Sequence, residues 1–199
     1  MTEQALALLG AYLLGSTPTA LIVSRFLGRG DIRLLGDGNM GARNVAREIG
    51  LGAGAVVGAV DFSKGALAVW AAQQASLSEP WLLAAGVAAV LGHDFPIWAG
   101  FRGGQGMATS LGALAMLLPV PTLVGLLAFG SLYLATRGFD VSAAGGLGLI
   151  VLAAWRIGAP ILWVIYAAFL FASIGIKKLF DRPRREALLR LGEGGIGRP

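Results

Sequence analysis

This 199-residue chain contains no cysteine, a single histidine and only 14% charged residues. Without cysteine there is no disulfide framework, no thiolate metal site and no cysteine nucleophile. One histidine with no thiol beside it argues against a nitrogen–sulfur metal site. So few charges exclude an ordinary soluble domain, whose composition runs to about 25% Asp, Glu, Lys and Arg. Also lacking are a G-x-x-x-x-G-K-[ST] phosphate loop, an internal repeat and room for a separate soluble domain. The start, Met1-Thr2-Glu3-Gln4, lacks the basic region of a secretion signal, and the apolar run after it reads as a retained first helix.

What the chain has in their place is apolar length: 56% hydrophobic residues and a mean hydropathy of +0.72. A helix crossing the hydrocarbon layer needs roughly 20 apolar residues. The runs predict spans at Ala5–Ser24, Gly50–Ala72, Pro80–Trp98, Met107–Leu118, Pro121–Thr136, Val141–Trp155 and Ile157–Ile176. The fold class is therefore all-α, a polytopic membrane protein of about seven transmembrane helices with short loops. It forms one integral membrane domain over 1–199, with a basic tail at 177–199. From Gly106 to Thr136 the chain is uncharged for 31 residues. As one helix this stretch would run about 46 Å and overshoot the bilayer. Pro119 and Pro121 accordingly predict a turn between two short helices.

Seven spans put the termini on opposite sides. Of the 16 Lys and Arg residues, all but Arg156 and the intramembrane Lys64 then fall on one face. The positive-inside rule makes that face cytoplasmic, with the amino terminus outside the cell membrane and the carboxyl terminus inside.

Two glycine-rich polar loops share the basic face: Gly36-Asp37-Gly38-Asn39-Met40-Gly41-Ala42-Arg43-Asn44 and Arg102-Gly103-Gly104-Gln105-Gly106-Met107-Ala108-Thr109. Glycine lets backbone N–H groups converge on an anion, and a glycine nest that opens a helix adds the positive end of the helix dipole. Plain connectors beside spans are the alternative. On the loop reading, the protein handles a phosphate at the bilayer surface. His93 has two roles open to it, positioning the second loop, which is the commoner one for a lone helical histidine, and direct proton transfer. Asp61 and Lys64 lie three residues apart on one face of the second span, where they neutralise each other at a packing surface or mark a transport path. Gly50-Leu51-Gly52-Ala53-Gly54 follows no strand and reads as helix-packing glycine, not a dinucleotide fingerprint.

These motifs together resemble the PlsY family of membrane acyltransferases, and the resemblance covers nearly the whole chain. Gly15-Ser16-Thr17-Pro18 is similar to the family's G-S-I-P. Gly30-Asp31-Ile32-Arg33 and the first glycine loop follow D-I-R-x-x-G-S-G-N-x-G-A-T-N-x-x-R, and Asp61-Phe62-Ser63-Lys64-Gly65 follows D-x-x-K-G. Gly92 to Thr109 resembles G-H-x-F-P followed by F-K-G-G-K-G-V-A-T, and Thr136-Arg137 sits at a T-R. The resemblance implies seven transmembrane helices and a cytoplasmic site. It also implies transfer of an acyl group from acyl phosphate to glycerol 3-phosphate, giving lysophosphatidic acid for phospholipid synthesis. No metal or nucleotide cofactor and no nucleic acid is implied; the partners are the two substrates and membrane lipid.

Carried over residue by residue, the resemblance points to Arg47, Gln105, Arg137 and His93 as catalytic candidates. Asp37, Gly38, Asn39, Gly41, Arg43, Asn44, Arg102, Gly103, Gly104, Gly106 and Thr109 are the substrate-binding candidates. Arg47, Arg102 and Arg137 are the expected phosphate-binding cations, with Asn39, Asn44 and the glycine backbones as neutral donors. The chain departs from the pattern where the family serine before G-N is Asp37, the following threonine is Arg43, the second lysine of K-G-G-K-G is Gln105, and the serine after T-R is Asp140. The tail motif H-R-x-N aligns loosely with Asp181-Arg182-Pro183-Arg184, and Arg102 replaces the first lysine. Asp37 repels a phosphate unless a cation neutralises it, and the expectation is that Arg43 does so. Two rival readings follow from the departures and from Asp61 and Lys64: a non-catalytic relative that binds lipid or anion, and a small-solute transporter.

Overall fold

The computed structural model describes residues 1–193, and among them every regular element is helical. In chain order these are α1 (Thr2–Gly15), α2 (Thr19–Phe26), α3 (Ala42–Glu48), α4 (Leu51–Gln74), α5 (Glu79–Asp94), α6 (Met107–Leu117), α7 (Pro119–Thr136), α8 (Phe139–Arg156), α9 (Ile161–Phe180) and α10 (Arg182–Glu193). Among the described residues six segments are long and apolar enough to cross a bilayer: α1 with α2, α4, α5 with the short turn after it, α7, α8 and α9. The predicted seventh span is α6, which has only 11 residues and so reaches about 16 Å, half the hydrocarbon depth.

Breaks in the spans have local causes. Pro18 has no N–H to continue the ladder and disfavours a helical Thr17, so the first span is two helices, and the Thr17 carbonyl between them accepts from Thr19 N at 2.9 Å. Pro96 likewise ends α5, and a single 3-10 turn, Ile97–Ala99, follows before Gly100 in the left-handed region. Between α6 and α7 the predicted proline turn is one residue, Leu118.

Three expectations are corrected. The last span begins at Ile161, not Ile157, because Gly158 at φ 72° and Pro160 make a turn before it. The first polar loop is not irregular throughout. Residues 42–48 form α3, where Ala42 and Ala46 lie against Gly54 and Gly58 of α4. The basic tail is helical too: Lys177 and Lys178 belong to the last turn of α9, and α10 follows. Residues 194–199 of that tail lie outside the described residues.

Helix α4 is the central post, packed on α1, α2, α3, α5 and α6. Lipid supplies no hydrophobic drive between helices, so close approach through small residues holds them together. At the α4–α6 crossing a methyl group on Gly65 would overlap the Thr109 carbonyl, and one on Gly112 would overlap the Phe62 carbonyl. A second apolar cluster anchors the polar loops. Ile32, Met40 and Val45 are buried with Leu21 of α2, Val57 of α4 and Ala99 beyond α5. Each such side chain contributes about 1.5–3 kcal/mol on burial, enough to pin loops this rich in glycine.

Candidate active site

The first loop is organised around Asn44. Its side chain is fully buried, and Nδ2 donates to the carbonyls of Leu35 (3.0 Å) and Asn39 (3.1 Å). Its Oδ1 accepts from Asp37 N (3.3 Å) and Arg47 Nη2 (2.6 Å). Gly38 N donates to Leu35 O and Asn39 N to Asp37 Oδ1, so these N–H groups are engaged within the loop. Gly36 and Gly38, both at positive φ, shape the turn. The expected backbone cradle is therefore not formed at Gly38, and Asn44 staples the loop where a substrate donor was expected.

Asp31 opens the 3-10 turn Ile32–Leu34, accepting from Arg33 N at 3.0 Å and from Arg33 Nη2 at 2.6 Å. The side-chain bond to Arg33 holds the Asp31 carboxyl below the usual carboxylate range against the opposing effect of burial. The same guanidinium donates to Ala99 O at 2.8 Å, tying the first loop to the second.

In the second loop Gly103 N donates to Asp94 O (3.2 Å) and Gly104 N to His93 O (3.1 Å), which satisfies carbonyls left open at the end of α5. A Cβ on Gly104 would collide with the His93 ring. These two glycines pack and cap; they do not present N–H groups to an anion. Gly106, at φ 69°, then caps α6 and turns its first residues toward a cavity. Thr109 is fully buried behind them and off the cavity wall.

That cavity holds about 1150 Å³, somewhat above the usual range for small-molecule sites. Asp37, Asn39, Gly41 and Arg43 line it from the first loop and α3, and Gln105, Gly106, Met107 and Ala108 from the second loop and α6. The two loops thus meet on one site. From the polar end the wall continues into Leu126, Phe129, Leu147, Ile150, Val151 and Phe171. One stripe joins the two ends: Phe171, Ile174, Lys178, Asp181 and Arg185, spaced three and four residues apart, all line the cavity along α9 and into α10. The stripe is apolar at one end and charged at the other.

Asp61, Lys64 and His93 form a buried polar cluster at the edge of this site. Lys64 Nζ is 2.6 Å from Asp61 Oδ1 and donates to the Thr17 carbonyl, also at 2.6 Å. His93 Nδ1 lies 3.6 Å from the same Asp61 oxygen, and Asp61 and His93 reach the cavity wall. Each charge has its opposite in contact, so the intramembrane pair is neutralised at a packing surface.

The cations stand differently from expectation. Arg47, Arg102 and Arg137 are exposed and none lines the cavity. Arg47 is held by Glu48 Oε1 at 2.9 Å and by Asp37 Oδ2 at 3.5 Å. Arg43, expected on Asp37, pairs instead with Asp140 Oδ1 at 3.2 Å and stacks 4.3 Å over the Phe139 ring. Among the described residues the positive charge on the cavity wall comes from Arg43, Lys178, Arg184 and Arg185. Arg184 also donates to Gly38 O at 3.2 Å, bringing α10 over the first loop. The sequence signal for these tail residues was their helical spacing, which is hidden when the tail is read only as a block of charge. Among the described residues no group of three or more His, Asp and Glu side chains is placed to hold a metal.

A family model described as glycerol-3-phosphate acyltransferase matches residues 5–181. The chain belongs to this family. A glycerol-3-phosphate acyltransferase of Thermus thermophilus is 42% identical over 98% of this chain and 94% of its own length. Glycerol-3-phosphate acyltransferase 1 of Dehalococcoides mccartyi is 39% identical over 88% of each chain. Among solved structures, the crystal structure of PlsY, an integral membrane glycerol 3-phosphate acyltransferase, in its glycerol 3-phosphate form superposes with a TM-score of 0.82 at 30% identity, covering 96% of this chain and 93% of that one. Its lysophosphatidic acid form gives 0.79 at 29% identity. The acyltransferase family thus shares the helical membrane architecture with this chain along nearly its full length.

Proposed function

We propose that this family member transfers the acyl group of an acyl phosphate to glycerol 3-phosphate, releasing lysophosphatidic acid and inorganic phosphate on the cytoplasmic side of the cell membrane. The acceptor hydroxyl oxygen bonds to the acyl carbonyl carbon, the carbonyl–phosphate C–O bond breaks, and phosphate departs with the electron pair. The hydroxyl proton passes to that phosphate. Because the donor is already activated, positioning and charge stabilisation supply most of the rate.

The observation that carries this reading is the amphiphilic cavity, polar where the two loops meet and apolar where α7, α8 and α9 line it. A substrate with a phosphate head and a fatty tail matches that gradient. The amino-terminal turn of α6, with unpaired N–H groups and the Gln105 amide beside it, is the seat for the acceptor phosphate. Asn39 and Gly41 lie on the same wall. Asp37, whose carboxylate also accepts from Asn39 N, is placed to accept from a glycerol hydroxyl. Of the two roles left open for His93, positioning is favoured, because Gly104 lies against the ring and caps its carbonyl.

The orientation rests on the basic residues, and it places both loops and α10 in the cytoplasm. The transporter reading loses its support in the contact between Asp61 and Lys64. Purified protein in lipid should release phosphate from acyl phosphate only when glycerol 3-phosphate is present, with lysophosphatidic acid appearing in equal amount. Tight binding of acyl phosphate with no acceptor-dependent turnover would identify a non-catalytic relative instead.

A further inference from the structure

Joining two phosphorylated substrates takes two anion seats, and the turn of α6 beside Gln105 is one. We propose that Arg43 and Lys178 form the second, that it takes the phosphate of the acyl donor, and that Asp140 fills it until the donor displaces the carboxylate. The inference rests on the acyl-transfer reading and assigns a subsite within it.

Arg43 Nη1 and Lys178 Nζ lie 3.2 Å and 3.1 Å from the same oxygen, Asp140 Oδ1. Two cations carried by α3 and α9 therefore converge on one point, and an anionic oxygen from α8 stands there. All three residues line the cavity. The convergence is pre-set, since the Phe139 ring lies under the Arg43 guanidinium and fixes its plane. The Asp140 side chain is 63% exposed, and exposed ion pairs are worth little, so the carboxylate exchanges readily. A phosphate offers more oxygens and more charge to the same two donors. What assigns the seat to the acyl donor is its border. Phe171 and Ile174 precede Lys178 on one helical stripe, and Phe129 lies on the same wall. Glycerol 3-phosphate has nothing to place against them, whereas an acyl chain does.

The test compares the wild type with Asp140→Asn, Lys178→Met and Asp140→Glu in lipid. Asp140→Asn empties the seat and should lower the apparent KM for acyl phosphate about three- to tenfold, with the KM for glycerol 3-phosphate held within about twofold. Lys178→Met should raise the acyl phosphate KM by a similar factor, and Asp140→Glu should restore wild-type behaviour. Binding of a non-hydrolysable acyl phosphonate, measured by calorimetry, should follow the same order whether or not the chain turns over. This separates failure of the subsite from failure of the acyl-transfer reading. Four results would overturn the assignment: an unchanged donor KM and phosphonate affinity in Asp140→Asn; a shift confined to glycerol 3-phosphate; a shift confined to inhibition by inorganic phosphate; or a loss of thermal stability with both KM values raised, which would mark Asp140 as a structural strap.

Discussion

Replacing Gln105 by lysine adds one positive charge where α6 begins, and the structure fixes what that charge gains and costs. Gln105 stands on the cavity wall immediately before Gly106, the cap of α6. The Gln105 amide already offers an anion a neutral donor, and a lysine there adds an ion pair, which contributes about 1 kcal/mol more where solvent reaches it. The gain of about 1 kcal/mol corresponds to about a fivefold fall in the KM for glycerol 3-phosphate. The cost falls on the unliganded protein. A cation at the positive end of a helix dipole is unfavourable by about 0.3–1 kcal/mol, so Tm should drop by a few degrees at most. Saturating glycerol 3-phosphate should reverse that drop, because ligand binding stabilises the folded state by mass action. The assay is acceptor-dependent phosphate release with glycerol 3-phosphate titrated at fixed acyl phosphate, in low salt and again at about 0.15 M, where screening reduces the gain. A lower Tm with no change in the acceptor KM would refute the reasoning, since the helix would have felt the charge while no phosphate did. A shift in the donor KM alone would mean that the two seats have been assigned the wrong way round.

Gly104→Ala forces a methyl into the His93 ring and should destabilise the protein by about 1–3 kcal/mol, lowering Tm and activity together. Lys64→Met leaves the buried Asp61 carboxylate without its cation and should cost about 3–5 kcal/mol. The double variant with Asp61→Asn should recover much of that loss in a thermal melt, and no recovery would count against mutual neutralisation. Asp31→Asn should lower stability at neutral pH. The folded-state pKa of Asp31 is depressed by Arg33, so its contribution is present above the ordinary carboxylate range and fades as pH falls through the folded value. Melts of variant and wild type should therefore converge in acid, and a constant gap at all pH values would show that the ion pair is not the source.

The spans were readable because hydropathy acts locally, and the turn before Pro119 needs only neighbouring residues; the break at Pro18 and the end of α5 before Pro96 have equally local causes but lie inside the apolar runs Ala5–Ser24 and Pro80–Trp98, which hide them. The meeting of the two glycine loops was also legible, through their shared basic face. The cations were not. Arg47, Arg102 and Arg137 had the right charge in the right segments, yet which charges reach the cavity depends on how α9 and α10 fold back over the first loop. Helix α3 was hidden for a related reason. Its seven residues are too few to show a period, and it is held by Ala42 and Ala46 seated on α4 glycines. Asn44 shows the limit most clearly, since an amide beside glycines reads equally well as a donor to substrate or as a brace for its own loop. The pairing of Asp140 with Arg43 joins residues 97 positions apart, beyond any local signal.

With 11 residues α6 reaches about 16 Å, so if it opens at one face of the hydrocarbon layer its junction with α7 falls short of the other, where little water is available to serve exposed peptide groups. A new helix normally begins with four free amide hydrogens. Pro119 and Pro121 have none to offer, and Thr122 N already reaches Leu118 O, so the opening of α7 leaves Val120 alone unserved. The prolines that stop one helix thereby spare the start of the next most of the bare amide hydrogens that a helix opening in oil would otherwise carry.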